Sequence, residues 1–157
     1  MRRIVAATAA LTFALLLGGC AMATESRLDE YRVEAERLSE ELAGLVGSDG
    51  DDIVDSAARS DVGTDPSDPA WWQVSRTLDL GVATDASADA ARTVSESLTS
   101  DGWASERVRE TAGGTRIADG FRRDEWYVEV TWVTSEEGKS EPLEIVVVSP
   151  TTTRGGA

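Results

Sequence analysis

The spacing of apolar and polar positions divides the chain before any other property is considered. Ile4 to Leu17 is an uncharged, mostly apolar run behind Met1-Arg2-Arg3. From Arg27 the apolar residues fall at Leu28, Tyr31, Ala35, Leu38, Leu42 and Leu45, in alternating steps of three and four. Such steps keep side chains on one stripe, so the spacing predicts a helix over about 26–46, with Ser26 able to cap its start and Gly47-Ser48 its stop. The stripe holds fewer than three heptads, so docking on the protein's own sheet is expected, with self- or partner association as the other reading. Residues 48–69 lose all periodicity and carry seven aspartates with Gly50, Gly63, Pro66 and Pro69. That stretch reads as an acidic linker, in which Ile53, Val54, Ala57 and Ala58 add at most a helical turn or two.

Period two takes over at Trp71. Trp72, Val74, Leu78 and Leu80 point one way, interrupted by Arg76, and Gln73, Ser75, Thr77 and Asp79 the other, which predicts a half-buried strand. Thr84 or Asp85 opens a second helix, Ala86 to Ser100, with a narrow stripe of Ala88, Ala91, Val94 and Leu98, and Asp101-Gly102 closes it. Ala104 to Thr111 reads as a charged strand with Val108 inward, turning at Ala112-Gly113-Gly114 into Thr115 to Ala118, and Arg122-Arg123-Asp124 reads as a further turn. Trp126, Val128, Val130 and Trp132 alternate with Tyr127, Glu129, Thr131 and Val133 in the clearest strand of the chain. After a hairpin loop at Glu136 to Lys139, Leu143 to Val148 is apolar on both sides and belongs inside a sheet.

The expected fold class is α+β, with an N-terminal helix and one further helix packed on a mainly antiparallel sheet of about five strands, ordered strand, helix, strand, then meander. The expected divisions are 1–19 signal peptide, 20–26 lipidated cysteine and tether, 27–47 amphipathic helix, 48–69 acidic linker, 70–150 α+β domain and 151–157 disordered tail.

Charge and composition narrow the chemistry. The uncharged N-terminal run is too short to cross roughly 30 Å of hydrocarbon and has the proportions of a signal-peptide core. It ends in Leu17-Gly18-Gly19-Cys20, which resembles the lipobox of bacterial lipoproteins. That resemblance implies cleavage between Gly19 and Cys20 and a diacylglyceryl group on the Cys20 thiol. Two acyl chains, at about 0.8 kcal/mol per buried methylene, hold a protein on a bilayer where one does not. Removing residues 1–19 takes Arg2 and Arg3 but no acid, leaving 13 basic and 29 acidic residues and a formal charge of −16. Nucleic acid and anionic lipid headgroups are therefore not expected partners, since both reward clusters of Lys and Arg. The chain has one cysteine and no histidine, so once Cys20 is acylated it has no thiolate, no disulfide and no imidazole base or ligand.

No catalytic motif takes the place of these residues. A G-x-S-x-G elbow, a phosphate-binding loop and a dinucleotide fingerprint are all absent from the sequence, and Lys139 sits in a polar hairpin. Glu129, the one acid on the strongest strand, falls on its solvent face. An EF-hand loop starting at Asp49 fails, because Ile53 and Val54 stand where a ligand and a glycine are needed. We expect no catalytic residue, no metal ligand and no cofactor. Trp71 and Tyr127 lie opposite their strands' apolar stripes and are the candidate binding face, unless the first helix covers them; Trp103 sits at a helix end.

The lipobox, the Leu-striped helix, the strand opening at Trp71-Trp72, the helix closing in Leu98-Thr99-Ser100-Asp101-Gly102-Trp103 and the final Val148-Ser149-Pro150 together resemble small lipoproteins of actinobacteria with no assigned activity. In such proteins a cysteine often follows the final Ser-Pro; Thr151 stands there in this chain, which puts a disulfide in doubt. The expectation is a non-catalytic binding or assembly module on the outer face of the cytoplasmic membrane, held through the lipid on Cys20 and serving an envelope protein or glycan. The alternatives are an acidic divalent-cation binder or a small carboxylate-based hydrolase.

Overall fold

The computed structural model describes residues 25–47, 52–134 and 139–155. In chain order the elements are α1 (Leu28–Gly44), β1 (Ile53–Arg59), β2 (Pro69–Asp79), α2 (Ala86–Ser100), β3 (Ala104–Thr111), β4 (Arg116–Arg123), β5 (Trp126–Val133), β6 (Pro142–Val148) and β7 (Thr152–Thr153). The strands form one antiparallel sheet in the order β1-β2-β6-β5-β4-β3, and β7 pairs with the start of β2. The class is α+β as expected, with seven strands in place of the expected five or so. Among the described residues no helix is long and apolar enough to cross a membrane.

Both helices lie on the same face of the sheet. Alternation sends Val74 and Leu78 of β2, Leu143, Ile145 and Val147 of β6, and Val128 and Val130 of β5 to that face, where they meet Ala35, Leu38 and Leu42 of α1 and Ala91, Val94 and Leu98 of α2 in a single apolar cluster. The stripe of α1 thus docks on the protein's own sheet, over β2 and β6, while α2 covers β5 and β6. As expected, β6 lies in the interior of the sheet between β2 and β5. The end of α2 shows why its closing residues are needed. Gly102 adopts φ 83°, its N–H donates to the Thr99 carbonyl, and the Trp103 N–H donates to the Leu98 carbonyl. This pairing folds Trp103 back onto Leu98 in the core and leaves it 3% exposed.

The charged interruption in β2 is also resolved. Arg76 faces the helices, where its guanidinium donates to Asp52 at 2.7 Å and to the buried Ser39 hydroxyl of α1 at 3.2 Å. A charge can stay on the covered face because these groups and the remaining solvent access replace its lost hydration.

Several expectations are corrected. The acidic linker contains β1, and Ile53, Val54, Ala57 and Ala58 are strand residues, because the backbone of 53–59 pairs in register with 71–77. The tail is tied down at its start. Thr152 and Thr153 pair with Ala70 and Pro69, and the N–H groups of Arg154 and Gly155 donate to the Asp68 and Pro66 carbonyls. Strand β4 runs through Gly120 and Phe121 to Arg123, in place of the turn expected at 122–124, and Asp124 takes the positive φ that the β4–β5 turn requires. Asp85 does not cap α2 with its side chain. Val108 is 65% exposed, because β3 is an edge strand beyond the part of the sheet that α2 covers.

Candidate functional site

The sheet face opposite the helices is built from the other set of alternating residues. Register places Gln73, Val148, Tyr127 and Arg122 in one cross-strand row, Ser75, Val146, Glu129 and Gly120 in the next, and Thr77, Glu144, Thr131 and Ala118 in a third. Trp71 lies on the same face one row beyond Gln73. The expected candidates therefore share a face, and α1 covers the other one. They are not in contact. Two strands and two residues separate them, about 12 Å at the usual spacings of 4.8 Å between strands and 3.4 Å along them.

The Tyr127 ring lies over Gly120 of the neighbouring strand, where a β-carbon would come within 2.5 Å of its hydroxyl. That hydroxyl donates to a Glu129 carboxylate oxygen at 3.0 Å, Arg109 of β3 donates to the other oxygen at 2.7 Å, and the Arg122 guanidinium lies 5.4 Å from the ring centroid. Glu129, expected to face solvent, is held between a phenol and a guanidinium as an acceptor. Arg109 and Arg122 belong to this face, and the sequence reading missed them because their strands had no clear apolar alternation to orient them.

Further along the same face, Thr77, Arg116, Thr131, Val133, Pro142 and Glu144 line a depression of about 270 Å³. Arg116 pairs with Glu144 across it. The face is aromatic toward the start of β5 and polar toward its end. It can present hydrogen-bond donors and acceptors to an extended partner crossing the strands.

Other groups lie elsewhere. Asp119 is on the helix side, in the row of Val108 and Val130, with Oδ1 buried and unpartnered among the described residues; desolvation raises its carboxyl above the ordinary range. Among the described residues no three Asp, Glu, His or Cys side chains are grouped to hold a metal ion. Gly19, Cys20, Asp49, Asp51 and the loop 135–138 lie outside the described residues. No protein-family model, curated protein or solved structure matches the chain.

Proposed function

We propose that the protein is a lipid-anchored module on the outer face of the cytoplasmic membrane, similar to small actinobacterial lipoproteins, and that it binds an envelope protein or glycan without catalysing a reaction. The uncharged leader and the Leu17-to-Cys20 motif support the placement. The binding reading rests on one observation. Both helices pack on one face of the sheet and leave the other, with Trp71 and Tyr127, uncovered by either. The separation of Trp71 and Tyr127 does not suit a single sugar ring held between them, whereas an extended chain laid across β2, β6 and β5 meets both.

Site-specific photo-crosslinking in cells tests this reading. A photoreactive residue at Gln73 or Thr77 on the open face should give a discrete adduct, and one at Arg92 on the exposed side of α2 should not. Adducts of equal yield from both positions, or none from the open face, would contradict it.

A further inference from the structure

The two edges of the sheet are built differently. At one, β3 is broken by a bulge between Ser105 and Arg107 and is crowded with charge, so that a second β3 laid symmetrically about Val108 would set Glu106 against Glu110. Such features keep an edge from pairing. At the other, β1 runs in unbroken register with β2 over all seven of its residues, has no proline, and carries Ser56-Ala57-Ala58 in its middle. Its Ile53 and Val54 are large apolar side chains left 73% and 47% exposed.

The register shows which backbone groups this edge leaves open. Trp72 donates its N–H to the Ser149 hydroxyl at 2.8 Å and accepts the Ser149 N–H at 2.9 Å, so its backbone groups point to the β6 side. In an antiparallel strand that direction alternates from one residue to the next. Trp71, Gln73, Ser75 and Thr77 therefore turn theirs toward β1, where they meet Arg59, Ala57, Asp55 and Ile53. The N–H and C=O groups of Val54, Ser56 and Ala58 point away from the sheet, and among the described residues no strand pairs with them. A regular row of such groups is a template for another strand.

We propose that a second copy of this chain fills that row. The two β1 strands pair antiparallel about a two-fold axis at Ser56 and join the two sheets into one. The pairing is self-complementary. Ser56 meets Ser56 of the second copy and Val54 meets its Ala58, so every outward N–H and C=O group finds its partner and the whole strand is used. A register centred on Ala57 instead sets Val54 opposite Ser60, beyond the end of the strand. The side chains agree with the first register. Val54 packs on Ala58 of the second copy on the helix side, while on the open side Ile53 lies along the aliphatic stem of Arg59 and Asp55 faces Ala57, with no like charges directly opposite. The two Asp55 carboxylates approach only diagonally, and each is paired with Arg59 of its own strand.

Two features keep this dimer weak. Glu36, which accepts from the Ser56 hydroxyl at 2.8 Å, brings an acid to the axis from each copy. A seven-residue edge also falls short of the roughly 800 Å² per partner that standard interfaces bury, so association depends on concentration. The axis is perpendicular to the sheet, which leaves the helices of both copies on one side and joins their open faces on the other. The Trp71 side chains of the two copies then belong to one continuous surface. Acylation of Cys20 is not required for this pairing.

The test uses the full chain purified in detergent. Hydrogen exchange at the outward Ser56 amide should slow several-fold as protein concentration rises, while the Ala57 amide, held by β2, stays protected throughout. Ala58→Pro removes an outward N–H and spares the bonds to β2, so it should weaken the dimer at least several-fold in sedimentation equilibrium with a melting midpoint near the parent's. Ala57→Pro, by contrast, should lower the midpoint. Ser56→Cys should form an intermolecular disulfide on mild oxidation, since the α-carbons of a hydrogen-bonded pair lie about 5.5 Å apart. Val108→Cys on the other edge should not exceed the background set by Cys20 in the parent. A Ser56 amide that exchanges as an open one at every concentration, or equal disulfide yields from positions 56 and 108, overturns the pairing. So does a folded Ala58→Pro variant that dimerises like the parent; should that variant not fold, the exchange and disulfide measurements decide alone.

Discussion

The carboxylate of Glu141 accepts the backbone N–H of Ser87 at 3.1 Å and so caps the start of α2 from 54 residues away. Both residues are buried, Glu141 at 2% exposure. The Ser87 hydroxyl in turn donates to the Pro142 carbonyl at 2.7 Å and accepts the Val133 N–H at 3.2 Å. One junction therefore fixes the first turn of α2 to the end of β5 and the beginning of β6. The Glu141 oxygen accepts one of the N–H groups left open in the first turn, and it replaces the cap that Asp85 does not supply.

Removing this cap should be costly. Glu141→Ala leaves a buried helix N–H without its acceptor and should lower stability by roughly 2–3 kcal/mol in chemical denaturation, with Glu141→Gln closer to the parent because it keeps an acceptor oxygen. A loss for Glu141→Ala within about 0.5 kcal/mol, the range of ordinary surface substitutions, would mean that Ser87 holds the junction alone.

Arg76 and Asp52 should show the asymmetry of a partly buried ion pair. Their side chains are 17% and 22% exposed, on the face that α1 covers. Asp52→Ala leaves the guanidinium with the Ser39 hydroxyl but no counter-charge and should cost about 1–3 kcal/mol. Replacing both, as in R76L/D52A, should recover most of that loss, because the apolar side chain suits its neighbours Ile145 and Val54. Strictly additive losses in a double-mutant cycle would show that the two residues act independently.

Asp119 makes stability depend on pH in the opposite sense to most carboxylates. Its pKa is raised in the folded chain by desolvation, so folding favours the protonated form. The stability associated with that form is fully present below the ordinary carboxylate pKa of about 3.9 and is lost as pH rises through the folded value. Asp119→Asn keeps the shape and stays neutral. It should raise the melting temperature at neutral pH, and the gain should vanish in acid below the unfolded pKa. An equal gain at both pH values would assign the effect to something other than ionisation.

Gly120 is needed because Tyr127 lies over it. Gly120→Ala would place a β-carbon within 2.5 Å of the Tyr127 hydroxyl and 3.0 Å of the ring. The ring should swing away and lose its hydrogen bond to Glu129. Backbone amide shifts of β4 and β5 should then stay close to those of the parent, while ring contacts between Tyr127 and Gly120 disappear from nuclear Overhauser spectra. Ring contacts that persist in the variant would contradict this packing.

What the sequence revealed followed the strength of its periodicity. The stripe Leu28 to Leu42 and the alternations starting at Trp71 and Trp126 each carry enough apolar residues to place an element and orient its faces, and the structure has all three. The strand at 53–59 was not legible. Ser56, Ala57 and Ala58 offer little to bury, and its conformation is fixed by pairing with β2 rather than by local preference. Nothing in the sequence marks Gly120 as a strand residue whose missing side chain makes room for a ring on the adjacent strand. That Trp71 and Tyr127 lie opposite their strands' apolar sides could be read from alternation. Which side the helices would take could not, since β2 carries a tryptophan on each face and its inward stripe contains Arg76.

The most direct measurement is the intact mass of the protein extracted from membranes with detergent. The proposal predicts a chain that begins at Cys20, lacks residues 1–19 and carries a diacylglyceryl group on that residue, and it predicts that Cys20→Ala is absent from salt-washed membranes in processed form. An unmodified Cys20, or a processed Cys20→Ala chain that stays with the membrane through high salt, would contradict it.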